Sequence, residues 1–328
     1  MKNKLLILSV VAFLAVIIPV AVGIDYTIGD HPYYTTTGQF GQGHDLALIV
    51  ARPLYLLFGD LAIPVFFNFF FAFSVYFLIK PFVKTPEWAI LLAPITPLTT
   101  VYAQIFAISL FNFMLGFYFR LKLRENIRNT PAQMRKPHKR RLIGKFAYKG
   151  YLKELPIFGF LILVFLAHYW TGLFVAGIFA LYVLAFDRKS LRESLLPTIL
   201  IAGIFFFFIS QPIGFLTQAP GTGTYLSMIF FIPFLNIYLG LLGFFLLLTR
   251  GLSLFFLSFP GLYLLYKRHR DFFKVNLLLF FIPLIAFAPF ASDYWNWRLF
   301  YFMPFLALTS VLLSYLFEGK SDQSRKEL

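Results

Sequence analysis

The sequence contains no cysteine. That alone excludes disulfides, thiolate nucleophiles and sulfur-ligated metal sites, and with them the Cys-dependent membrane peptidases. Acids are scarce too: 14 Asp and Glu stand against 29 Lys and Arg, and charged residues make up only 13% of the chain. Soluble domains carry about 25% charged and about 45–50% apolar residues. Here 59% of the 328 residues are hydrophobic and 21% are aromatic, with a mean hydropathy of +0.77. Each polar stretch lies between apolar runs and is too short for a soluble domain of its own. The composition predicts an all-α, polytopic transmembrane helix bundle in which 1–328 forms one membrane domain.

The chain begins MKNKLLILSVVAFLAVIIPVAVG. Lys2 and Lys4 before an apolar run could mark a signal peptide, but the run is about 20 residues against about 7–15 for a signal core. A retained first helix fits that length better. Further apolar segments follow near 61–79, 88–102, 105–119, 155–168, 170–186, 195–211, 226–248, 252–266, 275–290 and 299–317. The stretch 46–58 holds Arg52 and Pro53 and is short, so it reads as an interfacial helix.

Lys and Arg bias sets the orientation. The basic loop 120–154, which includes RKPHKRR at 135–141, is cytoplasmic on this rule. Lys80 and Lys84, the group Arg188, Lys189 and Arg192, and KRHR at 267–270 mark further cytoplasmic turns, and the tail with Lys320, Arg325 and Lys326 ends inside. Only one crossing is allowed between Gln211 and Lys267, so 212–248 is expected to be an outer loop or re-entrant segment, as the Pro and Gly of QAPGTGTYLS suggest. The sum is about ten spans in the cell membrane with both termini cytoplasmic. RKPHKRR is better explained by contact with anionic lipid than by nucleic acid, so no nucleic-acid partner is expected.

With that topology the outer face is almost free of Lys. It holds Asp25, Asp30, His31, His44, Asp45, Asp60, His168 and Asp293, and its cations are Arg52, Arg298 and, depending on the threading of 212–266, Arg250. An outer Arg either pairs with an acid, snorkels at a helix end, or holds an anion through its bidentate fork. The first outer loop, 25–60, opens on Asp25 at the end of the first helix. Interfacial burial raises a carboxyl pKa, so Asp25 is a candidate general base. The same acids and imidazoles could bind a divalent cation, although their spacing matches no defined metal motif. Near 289–316, Trp295 and Trp297 read as an aromatic belt. Beside Asp293 and Arg298, the same rings suit stacking on a sugar.

Three stretches together resemble the GT-C superfamily of integral membrane glycosyltransferases, which includes protein O-mannosyltransferases, aminoarabinose transferases and oligosaccharyltransferase-like enzymes. VGIDYTIGDHPYY places an acid where the first helix meets a long outer loop. HDLALIVARPLYLLFGD supplies an interfacial helix, and WNWRLFYFMPFLAL opens a late aromatic helix on an outer Arg. The resemblance implies an enzyme that moves a sugar from a polyprenyl-phosphate donor to a glycan, lipid or protein acceptor at the outer leaflet. It implies Asp25, or else Asp30, as the catalytic acid of the first loop and Arg298 as the clamp on the leaving phosphate. Arg52, His31, His44, Asp45, Asp293 and Trp297 are the remaining candidates for substrate contact. Unlike the family pattern, the first loop has no adjacent acidic pair, and metal use is split within the superfamily. Two other classes stay open: a multi-span transporter or lipid flippase, and a non-catalytic membrane assembly protein.

Overall fold

A computed structural model describes residues 34–35, 45–92, 102–129, 151–187, 254–281 and 302–324, and every regular element among them is helical. In chain order these are α1 (Asp45–Phe58), α2 (Ala62–Ile79), the single turn α3 (Trp88–Leu91), α4 (Tyr102–Asn129), α5 (Tyr151–Ala167), α6 (Tyr169–Phe186), α7 (254–268), α8 (Arg270–Phe281) and α9 (Phe305–Ser324). Two stretches, Ala62–Ile79 and Tyr102–Arg124, are long and apolar enough to cross a membrane, with mean hydropathies of 2.1 and 1.4. Pro156–Ala167, Phe174–Phe186 and Phe305–Phe317 are shorter apolar helices.

α2 and α4 pack through aromatic rings whose order fixes their relative direction. Phe67 stacks on Tyr102 at 5.6 Å, Phe70 meets Phe106 at 5.2 Å, and Phe77 meets Phe117 at 5.2 Å. Residue numbers rise together on both helices, so the two run parallel. Aromatic pairs of this kind contribute about 0.5–1.5 kcal/mol each beyond area burial. A polar contact sits between the same helices: Asn112 Nδ2 donates to Ser74 Oγ at 3.1 Å, and Ser74 Oγ donates to the Phe71 carbonyl. Interhelical bonds of this type help fix the register of one helix on the other.

α7 and α8 form an antiparallel hairpin. Phe259 meets Phe280 at 5.3 Å and Tyr266 meets Phe273 at 5.2 Å, with only His269 non-helical between them. α7 runs parallel to α9, as Phe255 packs on Phe305, Gly261 on Leu308, and Arg268 over Tyr315. α6 descends beside α4 to the same end, where Tyr118 contacts Phe179 and Tyr182 and Lys122 reaches Asp187 at 3.1 Å.

Several boundaries differ from the sequence expectation. The interfacial segment expected over 46–58 is α1, a continuous helix in spite of Pro53. Within the span expected at 88–102, the described part is helical over Trp88–Leu91 and again at Tyr102, where α4 begins. α4 runs through Asn129 and α5 starts at Tyr151, so both ends of the expected 120–154 loop are helical. Residues 120–129 are mostly good helix formers with no Pro or Gly, and Pro131 is the first breaker after them. The expected segments 5–24, 195–211 and 212–248 lie outside the described residues.

Candidate functional site

The helix directions sort the charged residues into two poles. One end of the bundle gathers Lys80 and Lys84 after α2, Arg120, Lys122 and Arg124 on α4, and Lys267, Arg268, Arg270 and Lys274 around the α7–α8 turn. The other end holds Asp45 and Arg52 on α1, Asp60 before α2, and His168 between α5 and α6. Among the described residues no Lys, Arg, Asp or Glu lies in the stretches between the poles, 62–79, 102–119, 156–167, 171–186, 254–266 and 305–317.

At the cation-poor pole, α1 carries two apolar faces and one polar edge. Ala47, Leu48 and Ala51 are buried against the bundle. Ile49, Leu56 and Leu57 point away from it, the last two more than 70% exposed. Asp45 and Arg52 lie about two turns apart, which places both on the edge between those faces. Each has a partner, as does Asp60. Gly59 ends the helix at φ 79°, a left-handed conformation that glycine adopts without strain, and its N–H caps the Tyr55 carbonyl at 2.8 Å. The chain then turns directly into α2.

His168, grouped by sequence with the outer-face candidates, is buried and serves as the N-cap of α6. Its Nδ1 accepts from the Thr171 N–H at 3.1 Å and lies 2.7 Å from the Thr171 hydroxyl. Of the other candidates, Asp45 and Arg52 are described and share the edge of α1. Asp25, Asp30, His31, His44, Asp293, Trp297 and Arg298 lie outside the described residues. Among the described residues no group of three His, Asp or Glu side chains is placed to hold a metal ion.

The basic pole contains a crevice of about 230 Å³ walled by Phe82, Phe119 and Phe272 and rimmed by Lys122, Arg268, Arg270 and Asp271. Phe82 stacks on Phe272 at 4.3 Å to form its floor. Beside it, Tyr315 donates to the Phe82 carbonyl at 3.1 Å and lies 2.9 Å from His269 Nε2. Burial, more than the nearby Arg268 charge, pushes the His269 pKa below 6.5, against an opposing pull from the Phe82 backbone. Reading KRHR only as a topology marker missed this crevice. The signal available in the sequence was aromatic residues on both sides of that run, from Tyr263 and Tyr266 to Phe272 and Phe273.

Comparison with family models, with curated proteins and with solved structures found no match for this chain.

Proposed function

We propose that this chain is a multi-pass membrane glycosyltransferase that takes a sugar from a polyprenyl-phosphate donor at the cation-poor face. The observation that carries the reading is α1. It is a helix with one face on the bundle, a second apolar face turned outward, and an Asp45–Arg52 edge between them. An outward apolar face of this size is covered by lipid acyl chains rather than water. A helix so placed brings a carboxylate and a guanidinium to the depth where a lipid-linked phosphate sugar meets its acceptor. Exposed Phe256, Phe259 and Tyr263 on α7 and Leu181 and Leu184 on α6 support the same membrane setting.

The positive-inside bias assigns the basic pole and both termini to the cytoplasm and the α1 pole to the outer face of the cell membrane. The chemistry follows from that placement and from the sequence resemblance. An acceptor hydroxyl attacks the anomeric carbon and its proton passes to Asp25, with Asp30 the second choice. The bond from that carbon to the phosphate oxygen breaks, and the prenyl phosphate leaves with its negative charge held by Arg298. Arg52, Asp45, His31 and His44 border the donor on the first loop, and Asp293 and Trp297 border the sugar from the last. Acceptors are a glycan, a lipid or a protein. A divalent cation at the first-loop acids is a second way to hold the same phosphate. Transport is disfavoured because ionisable residues at mid-membrane depth mark transport pathways. The described stretches between the poles carry no Lys, Arg, Asp or Glu.

The test is lipid identification by mass spectrometry on the gently purified full chain. Wild type is expected to retain a polyprenyl phosphate or its glycosylated form, and Arg298→Ala to lose it. Bulk phospholipid alone, identical in both, would sink the reading. With a matched donor in hand, unchanged turnover in Asp25→Asn would remove Asp25 from the role of base.

A further inference from the structure

We propose that the crevice at the basic pole is a binding site for a phosphate group, supplied by the headgroup of an anionic lipid in the cytoplasmic leaflet. The site does not depend on sugar transfer. It requires only that the bundle sits in a membrane.

The charge balance is the first argument. Lys122 bridges Asp187 at 3.1 Å and Asp271 at 3.4 Å, and Lys274 also reaches Asp271 at 3.5 Å. Asp187 and Asp271 are therefore already taken by lysines. Arg268 and Arg270 are not paired in this way: among the described residues no carboxylate lies within ion-pair distance of either. Arg268 stands 4.3 Å over the Tyr315 ring and Arg270 lies 5.9 Å from that of Tyr266. Ring contacts hold a guanidinium in place without occupying its N–H donors, and those donors match two phosphate oxygens at once.

Shape is the second argument. Arg268 and Arg270 flank the single non-helical residue of the α7–α8 hairpin, so both line the same opening. At about 230 Å³ the crevice falls below the range of about 300–1,000 Å³ usual for small-molecule sites. That room suits a headgroup, not a nucleotide. Its floor is aromatic, from Phe82, Phe119 and Phe272, while its rim carries Lys122, Arg268 and Arg270 against one acid, Asp271, which the lysines already hold. An amphiphile has the same order, apolar toward the bundle and anionic toward water. The opening lies at the level where α4 passes from its apolar stretch into Arg120, Lys122 and Arg124, which is the height of lipid phosphates. Low-dielectric walls also strengthen each charge-assisted bond.

The test uses the full chain in detergent with phosphatidylglycerol or phosphatidylcholine added, bound lipid being counted by native mass spectrometry. Wild type is expected to retain phosphatidylglycerol over phosphatidylcholine. Arg268→Gln/Arg270→Gln is expected to weaken that retention roughly tenfold. Lys80→Gln/Lys84→Gln removes as much charge from the same pole outside the crevice and is expected to change it less than about threefold. Arg268→Lys/Arg270→Lys keeps the charge and the fold but loses the bidentate donors, so its retention should also fall. Inorganic phosphate distinguishes the source. If it raises the melting temperature of wild type but not of Arg268→Gln/Arg270→Gln, without lipid preference, the site takes a soluble phosphate. Equal retention by wild type and Arg268→Gln/Arg270→Gln, with no phosphate effect, overturns the site. An equal loss in Lys80→Gln/Lys84→Gln overturns it too, because the attraction is then diffuse.

Discussion

The Arg120 guanidinium lies 3.4 Å from the centroid of the Phe77 ring and donates from Nη2 to the Phe77 carbonyl at 2.8 Å. The reason is one residue in α2's exit. The carbonyl of Phe77 would ordinarily accept from the N–H four residues on, but that residue is Pro81 and has none. Arg120, on the parallel neighbour α4, supplies the missing donor and places a positive charge at the negative end of the α2 dipole.

Arg120→Met should therefore lower stability by about 2 kcal/mol, from the lost charge-assisted bond and ring contact. Arg120→Lys should recover only part of it, because an ammonium cannot lie flat on the Phe77 ring and reach the carbonyl together. Thermal unfolding of the detergent-solubilised variants measures both. Wild-type melting in Arg120→Met would show that water replaces the donor.

Gly261 and Gly159 should respond oppositely to the same change. A Cβ at Gly261 would lie 2.1 Å from the Leu308 carbonyl oxygen, a backbone atom that cannot step aside without moving α9. Gly261→Ala should cost about 1–3 kcal/mol by overpacking. Gly159 has nothing within 4 Å of the added carbon, so Gly159→Ala should be neutral or stabilising by up to about 1 kcal/mol. Equal melting temperatures for the two variants would mean that α7 and α9 do not approach this closely.

His269 gives a pH dependence with a definite sign. Its pKa is lower in the fold than the ordinary 6.5, so the unfolded chain binds the proton more readily. The stability contributed by neutral His269 is full above the ordinary value and is lost as pH falls through the folded one. Melting temperature should fall between about pH 7 and 5, and His269→Gln should flatten that slope. A slope unchanged by the substitution would assign the acid sensitivity to other groups.

Much of the helical frame was legible in the sequence because long apolar runs announce helices. Segments such as 61–79 and 170–186 are apolar on every side, and KRHR sits where the α7–α8 hairpin turns. Helix ends were less legible. The apolar run of α4 stops at Phe119, but the helix continues to Asn129 because Arg, Lys, Leu and Glu are good helix formers too. The register of α2 on α4 could not be read either, since Phe67, Phe70 and Phe77 look alike from composition and differ only in which ring of α4 each meets. Of the candidate site, a helix over 46–58 followed from the short, Pro-containing apolar run. His168 did not: a lone histidine between apolar runs reads equally as an outer ligand or as a cap, and only its bonds to Thr171 decide.

The two-pole bundle underlies both the proposed chemistry and the proposed lipid site, and the absence of cysteine makes it directly testable. Single cysteines placed at Asp60 and at Lys84 can be labelled with a membrane-impermeant maleimide on intact cells and again after lysis. Both positions are exposed. Asp60→Cys should label from outside on intact cells, and Lys84→Cys only after lysis. Labelling of both from the same side would contradict a bundle whose α2 carries the chain from the cation-poor face to the basic one.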